Sequence, residues 1–166
     1  MLHAIELLPD EAGQDLVRRD WEALRDAGLP SQLDHRGATN APHVTVVAAP
    51  DIGRTGEDVA VERLGPLLPA TARTAGLVVL GGARVTVARL VEVDDAVTAA
   101  VAAVRAALPD RQHRSWLPHV TLARRLPRAD VQRAVDVLGH DDVVLTLTLL
   151  RRWDPGTGSV HTLAGG

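Results

Sequence analysis

The tetrapeptide Pro-His-Val-Thr occurs twice, as Pro42-His43-Val44-Thr45 and Pro118-His119-Val120-Thr121, with the two histidines 76 positions apart. Each copy leads into an apolar, β-forming run. A repeat of this kind constrains the fold before anything else does: two similar halves must each deliver one copy to a common place. In a strand, successive side chains alternate faces, so His and Thr two residues apart project side by side while the intervening Val is buried behind them. Each copy therefore offers one acid/base group and one hydroxyl donor. If the halves bring the strands together across a cleft, a phosphate would lie between two imidazoles and two hydroxyls.

The rest of the chain supports two halves. Leu2 to Leu8 reads as a strand, and an amphipathic helix follows from Pro9-Asp10-Glu11 to about Ala27, stopped by Gly28-Leu29-Pro30 and placing Trp21 in the core. The turn-rich segment Ser31 to Ala41 feeds the first motif strand, His43 to Ala49, and Val59 to Leu68 forms a second helix. Gly81-Gly82 between Val-rich runs, Leu77 to Leu80 and Arg84 to Val93, predicts a β-hairpin. Asp94-Asp95 caps an alanine-rich helix to Leu108, a connector reaches the second motif strand, Leu117 to Ala123, and Pro127 starts a helix to about Leu138. A strand from Val143 to Trp153 then turns through Gly156-Thr157-Gly158 into Val160 to Leu163. The order is that of a degenerate duplication inside one α+β domain covering residues 1–166.

Absent residues exclude several chemistries. There is no Cys, hence no thiol nucleophile, disulfide framework or thiolate metal site. There is no Lys, all 18 basic residues being Arg, hence no Schiff base, P-loop lysine or lysyl-nucleotide intermediate. Phe and Tyr are missing too, which leaves Trp21, Trp116 and Trp153 as the aromatic platforms. A formal net charge of −3 argues against an extended nucleic-acid footprint and favours a small ligand or a nucleic-acid end. The Arg124-Arg125 and Arg151-Arg152 pairs are candidates to bind a few phosphates. No stretch is apolar for long enough to span a bilayer, and the N-terminus, acidic at Glu6, does not read as a signal peptide, so a cytoplasmic monomer is expected.

The motifs resemble those of the two-histidine (2H) phosphoesterases, within them the 2′-5′ RNA ligase or LigT-like branch, whose signature is a pair of His-x-Thr/Ser-x motifs. Here these read His43-Val44-Thr45-Val46 and His119-Val120-Thr121-Leu122, the second continuing as Ala123-Arg124. The closing segment, Leu149 to Trp153 through a glycine turn to Val160 to Leu163, is similar to the family's last hairpin. The resemblance implies a duplicated, two-lobed α+β fold with antiparallel sheets flanking a central cleft and helices outside. It also implies action on 2′,3′-cyclic phosphates or 2′-5′ linkages of RNA ends or nucleotides, without a metal or other cofactor. His43 and His119 are the expected acid and base, and Thr45 and Thr121 the donors to the non-bridging oxygens. Arg124, five residues after His119, reaches the phosphate only if its strand ends or bulges first. Where family members carry Tyr or Phe on the closing hairpin this chain has His161, so Trp116 and Trp153 are the candidates for base stacking.

Two other readings stay open on the sequence. A metal-dependent phosphoesterase would need His43 and His119 to join further ligands, yet no His-x-His, His-Asp pair or carboxylate cluster stands near either motif. A non-catalytic module binding nucleotides or RNA ends would keep the fold without turnover.

Overall fold

A computed structural model describes all residues, Met1–Gly166. Its elements run β1 (His3–Pro9), α1 (Glu11–Asp26), β2 (Val44–Ala49), α2 (Gly53–Leu64), β3 (Ala70–Gly81), β4 (Arg84–Val93), α3 (Asp95–Ala106), β5 (His119–Pro127), α4 (Val131–Leu138), β6 (Val144–Asp154) and β7 (Ser159–Gly165). Local chemistry explains most boundaries. The Asp10 carboxylate caps α1 by accepting from the Gly13 N–H at 2.8 Å, and Val17, Trp21 and Leu24 recur at helical spacing on its buried side. Asp94 caps α3 in the same way through the Val97 N–H. In the β3–β4 hairpin Gly81 has φ of 110°, and a Cβ there would lie 2.9 Å from the Arg84 carbonyl oxygen, so glycine is required at this turn.

The largest boundary differences from the sequence reading are extensions of three elements. Helix α2 begins at Gly53, strand β3 begins at Ala70, and β5 continues to Pro127. Helix α2 has no side-chain cap to mark its start, and β3 opens with small alternating residues whose strand character comes from pairing with β6.

All pairings are antiparallel, in the order β1-β2-β5-β4-β3-β6-β7, with β1 also paired to β6. The antiparallel sheets expected to flank the cleft are thus continuous with each other, and the whole closes on itself. The reason is the length of β6: residues 144–147 pair with β3, and residues 149–154 pair with β7 along the same edge, while β1 occupies the other edge. One lobe is β2-β1-β6-β7, the other β5-β4-β3 with the start of β6. Between the lobes, β2 and β5 touch at one register pair, Val44 opposite Val120. A contiguous core of 32 buried residues draws on both lobes, Val44 and Val120 among them.

Helices cross over between lobes. Helix α1, which precedes β2, packs on β5, and α3, which precedes β5, packs on β2. No helix is long and apolar enough to cross a membrane.

Candidate active site

With Val44 opposite Val120, antiparallel alignment puts His43 across from Thr121 and Thr45 across from His119. The two valines are buried in the core, so the four polar side chains share the opposite face. The histidines are diagonal neighbours on that face, a relation that separates positions by about 7–8 Å in an antiparallel pair. The same face is the floor of a cleft of about 790 Å³ whose lining includes His43, Thr45, His119 and Arg124. Thr121 is half-buried beside His119 on β5 but outside the lining.

Both imidazoles are held identically. Nδ1 of His43 lies 2.7 Å from the Ala41 carbonyl oxygen, and Nδ1 of His119 lies 2.7 Å from that of Leu117. A carbonyl only accepts, so Nδ1 carries a proton in each ring and Nε2 is left to exchange one with a ligand.

The motif strands share two further devices. Each carries a bulge immediately after its threonine: Val46 is the extra residue of β2 against β1, and Leu122 that of β5 against β4. Each threonine carbonyl also accepts from an indole contributed across the lobes. Trp21 of α1 donates to the Thr121 carbonyl at 3.0 Å, and Trp116, just before β5, donates to the Thr45 carbonyl at 2.9 Å. Trp21 is core, as expected, and 2% exposed. Trp116 and Trp153 are half-buried in the cleft wall, whereas His161 lies exposed on β7, outside the cleft, with Nε2 3.3 Å from the Ser159 hydroxyl.

The bulges decide the position of Arg124. Strict alternation would turn it away from His119, but β5 gains Leu122 and then a second extra residue at Arg124-Arg125, where Arg125 adopts a left-handed φ of 59°. Leu122 and Ala123 are consecutively buried, and Arg124 emerges exposed at the cleft rim.

Arg151 and Arg152 do not serve as free phosphate ligands. Arg151 is buried, its Nε donating to Glu6 Oε2 at 2.8 Å and its Nη2 to the Thr39 carbonyl at 3.0 Å. Arg152 is engaged by Glu57 and His3. Several cleft residues went unmarked in the sequence. Glu6 is 5% exposed, and its Oε1 lies 3.4 Å from His43 Nε2. Arg105 of α3 donates to the carbonyls of Val46, His113 and Ser115, fastening the connector that carries His113 and Arg114 to the first motif strand. Burial, and secondarily the neighbouring charge of Arg111, pulls Arg105 below the usual arginine value.

The model of the 2′-5′ RNA ligase superfamily matches residues 12–164. The chain belongs to that superfamily. Its fold is that of the LigT-like two-histidine phosphoesterases. It is similar to TT0787 of Thermus thermophilus, with TM-score 0.58 and 16% identity over 99% of each chain. It is also similar to E. coli LigT in its apo form, with TM-score 0.54 and 12% identity over 97% of this chain and 92% of that one. A LigT complexed with 3′-AMP matches with TM-score 0.51 and 11% identity over 96% and 91% of the two chains. No curated protein matches the sequence.

Proposed function

We propose that this protein is a metal-independent phosphodiesterase that opens 2′,3′-cyclic phosphates on RNA ends or nucleotides by two-histidine acid/base catalysis, with 2′-5′ ligation as the counterpart reaction in the same site. The observation that carries the reading is the pair of imidazoles on one cleft face, each with Nδ1 hydrogen-bonded to a carbonyl and Nε2 making no hydrogen bond. One imidazole takes the proton of the attacking water while the other protonates the departing ribose oxygen. Thr45 and Thr121 donate to the non-bridging oxygens, and Arg124 meets the phosphate charge from the rim. A 5′-hydroxyl replacing water gives ligation. The LigT complex with 3′-AMP supports a nucleotide-sized ligand, as does the cleft volume.

The test is hydrolysis of 2′,3′-cyclic nucleotides and a cyclic-phosphate RNA end in EDTA. Turnover is expected to survive the chelator, to follow a bell-shaped pH profile, and to fall in both His43→Ala and His119→Ala. A rate flat from pH 5 to 9, or activity retained in either variant, would sink two-histidine catalysis. Tight binding of a cyclic nucleotide without turnover would favour the binding-module reading instead.

A further inference from the structure

The two histidines are alike in their strand, their carbonyl partner and their threonine, and they differ in one neighbour. The residue paired with Thr45 across β1–β2 is Glu6, and its own cross-strand partner on β6 is Arg151. In the other lobe the residue paired with Thr121 is Ala88, and its partner on β3 is Val78. The row behind the first motif is therefore charged and the row behind the second is apolar.

Glu6 cannot turn away from the cleft. Arg151 holds Oε2 at 2.8 Å and is itself tied to the Thr39 carbonyl, so Oε1 stays directed at His43 Nε2. At 3.4 Å that contact is longer than a good hydrogen bond, so it acts through charge and leaves an Nε2 proton available to a substrate oxygen. The ionisable groups lining the cleft around His43 are Glu6 on β1, Arg105 on α3, His113 and Arg114 on the connector, and His119 and Arg124 on β5; Glu6 is the only acid among them. His119 has no carboxylate in an ion-pairing position.

We infer that Glu6, clamped by Arg151 with Oε1 facing His43 Nε2, is a positioning residue that makes His43 the acid and leaves His119 as the base when the cleft opens a cyclic phosphate. The inference rests on the cyclic-phosphodiesterase reading. In the step, water oxygen bonds to phosphorus as its proton passes to His119 Nε2. The bond from phosphorus to one ribose oxygen breaks, its electron pair stays on that oxygen, and the oxygen takes the proton of His43 Nε2. His119 ends protonated and His43 neutral, and exchange with solvent resets both. In ligation the 5′-hydroxyl takes the place of water and both histidines keep these roles, which exchange only when the linkage so formed is cleaved again.

The test is Glu6→Gln, which keeps the shape of the side chain and removes its charge. Imidazole nitrogen NMR of the ligand-free protein is expected to show His43 losing its proton at lower pH in the variant than in wild type, with His119 unmoved. In hydrolysis, the alkaline limb of the pH–rate profile is expected to move towards neutrality, with kcat at pH 8 falling about tenfold and the acid limb unchanged. The double variant Glu6→Gln with Arg151→Gln removes both buried charges; it is expected to restore thermal stability but not the alkaline limb, which separates positioning from folding. His43 titrating identically in wild type and variant overturns the inference even for an active enzyme, and so does movement of the acid limb. If no cyclic phosphate is hydrolysed by wild type, the catalytic reading fails while the NMR comparison still decides what Glu6 does to His43.

Discussion

The two lobes carry the same sentence with one word changed. Both present His-Val-Thr on a strand bulged just after the threonine, fix Nδ1 on the carbonyl two residues back, and lend an indole N–H to the other lobe's threonine carbonyl. Behind Thr45 stand Glu6 and Arg151, and behind Thr121 stand Ala88 and Val78. The difference teaches that a repeated motif supplies a symmetric frame, whereas the proposed acid/base chemistry needs two unequal groups. The cheapest place to introduce inequality is one strand behind the motif, where a charge changes the imidazole's surroundings without altering its geometry.

Four experiments break or sharpen that comparison. The largest effect should come from the histidines: His43→Ala and His119→Ala are each expected to lower kcat by about 10²–10⁴-fold, measured as cyclic-nucleotide hydrolysis, because either proton transfer is indispensable. A much smaller loss in one variant would show that the lobes are not partners in one reaction. Next is Arg151→Met, which strands Glu6 as an uncompensated buried carboxylate and should cost about 3–5 kcal/mol in denaturant unfolding. Glu6→Ala with Arg151→Val, which makes the first row resemble the second, should cost far less, and equal losses would contradict the ion-pair account.

The threonines come third. Thr45→Val is expected to lose more transition-state stabilisation than Thr121→Val, within about 1–4 kcal/mol each, since Thr45 lines the cleft and Thr121 does not. Steady-state kcat/KM decides the order, and a larger loss at Thr121 would mean that the cleft tightens around β5 when substrate enters. Smallest are Trp21→Phe and Trp116→Phe, each removing one indole donor for about 0.5–1.5 kcal/mol of stability by thermal or denaturant unfolding. Trp21 should sit at the upper end because its indole is sealed in the core, whereas that of Trp116 borders the cleft.

Much of this was legible in the sequence, for physical reasons. The motifs announce themselves because strand chemistry forces His and Thr onto one face, and the element order follows from caps and turn glycines such as Asp10, Asp94 and Gly81. Arg124 was misaimed by strict alternation, although the doublets Val46-Val47 and Leu122-Ala123, apolar twice in succession, were already signs that each strand skips a beat. Glu6 and Arg151 were harder to see. A single acid in a mostly apolar first strand and the first of two arginines after Leu149-Leu150 belong to no spacing rule. Their opposite charges on two strands that both read as buried were the available signal, and pairing them required the long-range register of β1 with β6.

The exchange of indoles between lobes also bears on the order in which a nascent chain can acquire its site. The first motif is complete at Thr45, yet the donor that holds its carbonyl is Trp116, and the strand that delivers Arg151 to Glu6 comes later still. The early half of the polypeptide therefore emerges from synthesis with the Thr45 carbonyl unclamped, and a fragment ending at the Gly81-Gly82 turn carries a motif without its indole donor. Both halves of the cleft become rigid together, only after the second motif and the strand beyond it have been made.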